Sequence, residues 1–309
     1  MPEKKPKVLI STPTLSFLEK ALRGKYDVVR LWEVPKGSRV RGVRALTCLG
    51  NETLAPVLER VPDLELAACF TTGYDGIDLD QCRSRGIAVT HAPGATAHAV
   101  AEYAIALTLA SFRNVVGGSQ ALLSGGWRPG KVLIGRSLKG ARLGVVGLGD
   151  IGRTLAQLAE ALGMLVWWWG PRPKPDVKWE RAATLIDLAR VSDVLAVCAK
   201  ADPLNRHLIS AEVLASMPQT SVLVNVARGQ LIDEDALLRC LRAGRIGGAA
   251  LDVFETEPTP PDRWKDVPNV IVTPHIGGGT RQSVEMMTAM LLENLNRFFG
   301  GAPLATPVA

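Results

Sequence analysis

The chain has 309 residues, 47% of them hydrophobic and only 5% aromatic. That is enough to bury two ordinary cores, and it suits close-packed α/β layers better than a β-sandwich. The net charge is +6. The basic groups Lys4-Lys5-Lys7, Lys36-Arg39-Arg41-Arg44 and Arg172-Lys174-Lys178 stand among acids, without aromatic interleaving, which argues against nucleic acid as a partner.

The N-terminal Met-Pro-Glu-Lys-Lys runs straight into an apolar strand pattern at 8–11. Further strands are expected at 27–31, 45–49, 66–70 and 88–90, with helices at 14–24, 51–61 and 78–85. Asn51-Glu52-Thr53-Leu54 and Asp78-Leu79-Asp80 resemble capped helix starts. A long apolar helix is expected at 98–112, interrupted by Glu102 and too short to span a membrane; it has the length to cross between domains or lie in a subunit interface. A second alternating pattern follows: strands at 142–146, 165–169, 194–197, 221–226, 248–252 and 270–273, helices at 154–162, 185–191, 211–216 and 234–243, and a last helix at 283–299. Alternation of this kind implies parallel, doubly wound sheets with ligand sites at the strand ends. Cys48, Cys69, Cys82, Cys198 and Cys240 form no CxxC pair and no zinc spacing. With no signal peptide and no membrane-length apolar run, the expectation is a cytoplasmic protein with free thiols, no metal and no membrane partner.

Gly147-Leu148-Gly149-Asp150-Ile151-Gly152 lies between a strand and an amphipathic helix. A bare glycine pattern is weak, but this context turns it into a dinucleotide loop. Gly147 permits the turn, Gly149 the approach of a pyrophosphate, and Gly152 close helix–strand packing. The second strand of such a fold commonly ends near an acid that binds ribose hydroxyls. Here it ends in Gly170-Pro171-Arg172-Pro173-Lys174, with Asp176 beyond. Arg172 and Lys174 suit a 2′-phosphate, so NADPH/NADP+ is expected in preference to NADH/NAD+, which stays possible.

Arg228 follows the strand at 221–226, where its planar fork can hold a carboxylate and an adjacent keto oxygen. His275 ends the strand at 270–273, between Pro274 and a glycine-rich turn, and can donate a proton. Glu257 can accept from the imidazole, with Glu255 and Asp252 as competitors; Asp252 can also face the cofactor.

These segments, with Thr72-Gly73-Tyr74-Asp75-Gly76-Ile77-Asp78 and Val100-Ala101-Glu102, resemble the D-isomer-specific 2-hydroxyacid dehydrogenases over nearly the whole chain, most of all their glyoxylate/hydroxypyruvate reductase branch. The resemblance implies two Rossmann-like domains: a substrate-binding domain of residues 1–97 and 285–309, and a dinucleotide-binding domain of residues 98–284. It places the active site in the cleft between them and implies a homodimer through the cofactor domain. It assigns Arg228, Glu257 and His275 to catalysis, and Leu49 with the Thr72 and Gly73 backbone to a small 2-keto or 2-hydroxy acid. It assigns Val100, Asp150, Ile151 and Cys198 to the cofactor, and likewise Val226, Ala227, Asp252 and Gly277. Val197-Cys198-Ala199-Lys200-Ala201-Asp202 departs from the family's usual run there, and Lys200 is unusual. Two other functions compete: reduction of a larger aryl or branched keto acid, and a non-enzymatic NAD(H)-sensing corepressor. The second is disfavoured by the near absence of terminal extensions.

Overall fold

A computed structural model describes residues 5–127 and 134–308. Among these, the chain forms two parallel sheets, of five and seven strands, in two compact units. One unit comprises Met1–Thr96 and Thr280–Ala309, the other Ala97–Gly279.

In the first unit, β1 (Lys7–Ile10), β2 (Asp27–Arg30), β3 (Val43–Cys48), β4 (Leu66–Cys69) and β5 (Ala88–Thr90) pair in the order β2-β1-β3-β4-β5. Strands buried on both faces need apolar residues at successive positions, and β1 supplies them. Val8 and Ile10 join one core cluster, and Leu9 between them joins the other. The early helices are shorter than expected. Residues 13–18 wind as a 3-10 turn begun by Pro13, and only Glu19–Leu22 is α-helical (α1). The second helix is Ala55–Leu58 (α2). Asn51 does not cap it; instead the Glu52 carboxylate accepts from the Leu49 N–H at 3.0 Å and keeps that stretch in a loop. Asp78 does cap α3 (Leu79–Ser84), accepting from Gln81 N at 2.8 Å.

The second unit opens with α4 (Ala97–Phe112), whose alanines at 101 and 104 pack against Ala156 and Ala159. Small side chains let the two backbones approach closely. A second helix, α5 (Val115–Leu123), was not anticipated; Asn114, at φ +48°, breaks the chain before it. No single helix among the described residues is long and apolar enough to cross a membrane. The bent pair α4–α5 reaches that composition only jointly, and α4 buries much of its share in the core.

Then come β6 (Arg142–Val146), α6 (Asp150–Ala161), β7 (Leu165–Trp169) and β8 (Glu180–Arg181), followed by α7 (Leu185–Val191), β9 (Val194–Val197) and α8 (Ala211–Ser216). The unit closes with β10 (Val222–Asn225), α9 (Glu234–Arg242), β11 (Gly248–Leu251) and β12 (Val270–Val272). The strand order is β12-β11-β10-β9-β6-β7-β8. The order reverses at β6, so the crevice at its carboxyl end is the place where such sheets take ligands. Alternate residues again divide between two cores: Leu143 and Val145 pack on one face, Val146 on the other.

The last helix, α10 (Arg281–Phe299), belongs to the first unit and buries Met287, Leu291 and Leu295 in its core. The division between units falls before Thr280 rather than before residue 285, because Thr280 is the helix's N-cap and accepts from Ser283 N at 3.1 Å.

Candidate active site

All seven strands of the second sheet are parallel, so their carboxyl ends share one edge. Gly147, at φ +91°, leaves no room for a side chain: a Cβ there would stand 2.5 Å from Ala199 Cα. One on Gly152 would stand 2.1 Å from the Gly147 carbonyl oxygen. Gly149 differs, being exposed at the N-cap of α6 with open space where a Cβ would be. Two glycines therefore fold the loop and the third keeps its outer face bare at a helix N-terminus, which fits a pyrophosphate. Asp150 is exposed and Ile151 half-buried beside this loop. Val100, Cys198, Val226 and Ala227 are buried within the same unit. Burial pushes the Cys198 thiol up to about 12, so it packs as a neutral group. Lys200 is exposed, and its carbonyl accepts from Asn205 Nδ2 at 2.8 Å.

The loop after β7 carries Arg172, exposed, and Lys174, partly buried. Among the described residues Arg172 has no ion-pair partner. Asp176, the acid beyond them, is bound by Arg153 at 2.9 Å.

β10, β11 and β12 are neighbours, and one member of the predicted catalytic set lies in the loop after each. After β10, the fully buried Asn225 folds the turn that presents Arg228: its Oδ1 accepts from Ala227 N at 3.1 Å, and its Nδ2 donates to the Arg228 carbonyl at 3.0 Å. Gly229 follows. A Cβ there would lie 1.8 Å from the Phe254 carbonyl carbon and 2.2 Å from Glu255 N. The loop bearing arginine thus touches the loop bearing glutamate, backbone to backbone.

In that second loop the three candidate acids separate. Glu255 is taken by His207 at 2.6 Å and Arg206 at 2.8 Å. Asp252, only 2% exposed, accepts from Thr273 Oγ1 at 2.6 Å, Ile276 N at 3.0 Å and Gly277 N at 2.7 Å. It fixes the turn on both sides of His275, and this is the duty the structure gives it. Glu257 remains: its Oε2 accepts from His275 Nδ1 at 2.7 Å, and its Oε1 from Phe254 N at 3.0 Å. Burial alone would raise the Glu257 carboxyl, but the His275 hydrogen bond, the Phe254 N–H and the charges of His275 and Arg228 together hold it below its ordinary value. An ionised Glu257 makes Nδ1 the donor and leaves Nε2 for a substrate. Among the described residues Nε2 has no partner.

His275 sits at φ +53°, a left-handed conformation that L residues rarely adopt. The bonds from Asp252 to the following two N–H groups hold it there. Gly277 has no room for a side chain either, with Asp252 Oδ2 2.9 Å and Tyr103 Cδ1 3.1 Å from the position of a Cβ. The sequence reading gave Asn225 no role. The available signal was an amide closing a wholly apolar strand, which demands buried partners.

In the first unit, the 71–74 loop is shaped by its threonines. Thr71 Oγ1 donates to the Gly73 carbonyl at 2.8 Å, Thr72 Oγ1 donates to the Ala92 carbonyl at 2.7 Å, and His91 Nδ1 lies 2.9 Å from the Thr72 carbonyl. The N–H groups of Thr72 and Gly73 donate to no described protein acceptor. Leu49 is half-buried beside Gly50, where a Cβ would stand 1.7 Å from the Gly73 carbonyl oxygen.

Residues 105–277 match the family described as D-isomer specific 2-hydroxyacid dehydrogenase, NAD binding domain. Over the full length, the chain is 35% identical to glyoxylate/hydroxypyruvate reductase A HPR2 of Arabidopsis thaliana, covering 97% of this chain and 98% of that protein. It is 33% identical to hydroxyphenylpyruvate reductase of Plectranthus scutellarioides, with the same coverage of each, 97% and 98%. Its fold is similar to that of the NADPH-dependent glyoxylate/hydroxypyruvate reductase from Sinorhizobium meliloti in complex with NADP and malonate. There the TM-score is 0.90 and the identity 31%, over 99% of this chain and 97% of that one.

Proposed function

Since the chain belongs to the D-isomer-specific 2-hydroxyacid dehydrogenase family, an oxidoreductase family with a nicotinamide cofactor, we propose that it is an NADPH-preferring glyoxylate/hydroxypyruvate reductase. The observation that carries this reading is the His275–Glu257 pair at 2.7 Å, standing with Arg228 on adjacent strand ends of a nucleotide-binding sheet.

A nicotinamide bound there would supply a hydride to the keto carbon. His275 gives the keto oxygen a proton from Nε2, while Glu257 holds Nδ1 and so fixes the ring's orientation. Arg228 is assigned to the substrate carboxylate and keto oxygen, where its charge stabilises the negative charge that develops on the oxygen as the carbonyl carbon takes the hydride. The amides of Thr72 and Gly73 are assigned to the carboxylate, and Leu49 to the size of substrate accepted. We accordingly assign the first unit to substrate and the second to the dinucleotide. Val100, Cys198, Val226, Ala227, Asp252 and Gly277 are assigned to the cofactor.

The NADPH preference is supported by exposed Arg172 and by Lys174 at the end of β7, where no acid stands. A homodimer through the second unit is supported by the apolar face of α5 and the segment after it, where Leu123 is 84% and Trp127 78% exposed. A reducing cytoplasm is supported by five free cysteines. The similarity to a hydroxyphenylpyruvate reductase favours a second reading, reduction of an aryl-pyruvate. One assay separates the two. Steady-state kcat/KM is measured for glyoxylate, hydroxypyruvate and 4-hydroxyphenylpyruvate, each with NADPH and NADH. The first reading expects the small acids with NADPH to lead, and it fails if the aryl acid or NADH leads.

A further inference from the structure

The loop from Gly170 to Trp179 contains one acid, Asp176, among prolines at 171, 173 and 175. Guanidinium groups strap it at two points. Arg181 on β8 donates to the Gly170 carbonyl at 2.8 Å, with its guanidinium 5.8 Å from the Trp168 ring centroid. Arg153 donates to Asp176 Oδ2 at 2.9 Å. Arg153 directly follows Gly152, so it reaches from the first turn of the pyrophosphate helix to the loop where a ribose acid or a phosphate-binding base would act.

We propose that the Arg153–Asp176 pair is a determinant of cofactor choice, resting on the NADPH reading above. A free carboxylate in this loop would accept bonds from the ribose hydroxyls of NADH and repel the 2′-phosphate of NADPH. Paired with Arg153, it does neither. Arg153 thereby withdraws the ligand that NADH needs and cancels the charge that NADPH must avoid. It also keeps donors to spare, since among the described residues its Nε and Nη1 have no partner. The Arg153 hydrogen bond, with smaller help from the charge of Lys174, holds the Asp176 carboxyl below its ordinary range. The acid is therefore ionised at neutral pH and its charge has to be met. Arg172 and Lys174 are then the groups offered to the phosphate, and Arg153 is what lets them act without an opposing acid.

The test is a double-mutant cycle read in dissociation constants, through quenching of tryptophan fluorescence by NADPH and NADH. The proteins are the parent, Arg153→Ala, Asp176→Ala and Arg153→Ala/Asp176→Ala. Both side chains are partly exposed, and exposed charges are screened, so the effects are moderate. We expect Arg153→Ala to shift the NADPH/NADH affinity ratio toward NADH by roughly three- to tenfold. Removing Asp176 as well should restore most of that ratio, because the uncovered acid is the cause. Added salt should shrink the shift in Arg153→Ala. Equal weakening of both cofactors by Arg153→Ala, or a double variant as shifted as the single one, would overturn the role of the pair. The parent's own preference is a separate result. A parent that binds NADH more tightly defeats the NADPH reading, while the change in ratio between parent and variants still reports on the pair.

Discussion

At the ends of β10, β11 and β12 the orienting polar groups are buried and bonded to backbone, whereas at the end of β7 they are exposed and bonded to one another. Asn225 and Asp252 are 0% and 2% exposed and spend their side chains on the turns that hold Arg228 and His275. Arg153 and Asp176, at 34% and 64%, meet across a loop edge in water. Buried hydrogen bonds fix geometry and are costly to leave unmade, while exposed pairs contribute little rigidity and weaken with salt. Chemistry needs atoms within fractions of an ångström; cofactor choice needs only a local excess of one charge. Under the proposed function, the buried, bonded end is the one assigned to proton transfer and the exposed, charged end the one assigned to the 2′-phosphate.

Substitutions at the two ends test that contrast. The largest loss is expected from Gly229→Ala. Its Cβ would meet Phe254 and Glu255 backbone atoms within 2.2 Å, so the loops of Arg228 and Glu257 must part. A misplacement of about 1 Å can cost ~10²-fold, and with two groups displaced we expect kcat/KM to fall by up to roughly 10⁴-fold. A variant with parental kinetics would show that the loops do not need this contact. Arg228→Lys keeps the charge and loses the fork, and a drop of about 10²-fold in kcat/KM for keto acids is expected. Kinetics on glyoxylate and hydroxypyruvate equal to the parent's would remove Arg228 from its role. At the other end, Arg172→Ala should raise the NADPH dissociation constant about ten- to a hundredfold and leave NADH nearly unchanged. Titration of both cofactors checks this, and equal losses would contradict it. The smallest effect is in pH. Glu257 is held below its ordinary 4.5, so the stability it adds is present above about that pH and is lost as pH falls through its lower folded value. Relative to Glu257→Gln, the parent's Tm should therefore decline as the solution is acidified below about pH 4.5. Parallel melting curves across that range would show no such coupling.

Much of the fold was legible where strands are apolar on both faces and helices amphipathic, as in β9 and α9. β5, β6, β7 and β9 start and stop where the pattern does. Where prolines and loop hydrogen bonds compete with helix, as at Pro13, Glu52 and Pro56, periodicity overstated the element. The two-residue β8 was invisible because it owes its state to pairing with Trp167 and Trp168. In the site, Arg228 and His275 stood out as polar residues just past apolar strands, and the family resemblance alone set Glu257 beside them. The choice among Asp252, Glu255 and Glu257 was not legible, since it depends on contacts with residues 18 to 48 positions away. The Arg153–Asp176 pair was hidden for the same reason.

Proton donation by His275 is the central step proposed, and a single-turnover experiment isolates it. Parent and His275→Ala, each loaded with NADPH, are mixed with hydroxypyruvate, and loss of the reduced nicotinamide signal is followed. General acid catalysis contributes ~10²–10⁴-fold. The variant should bind NADPH as the parent does and oxidise it slower by that factor. Oxidation at the parental rate would contradict the assignment of His275, and with it the mechanism.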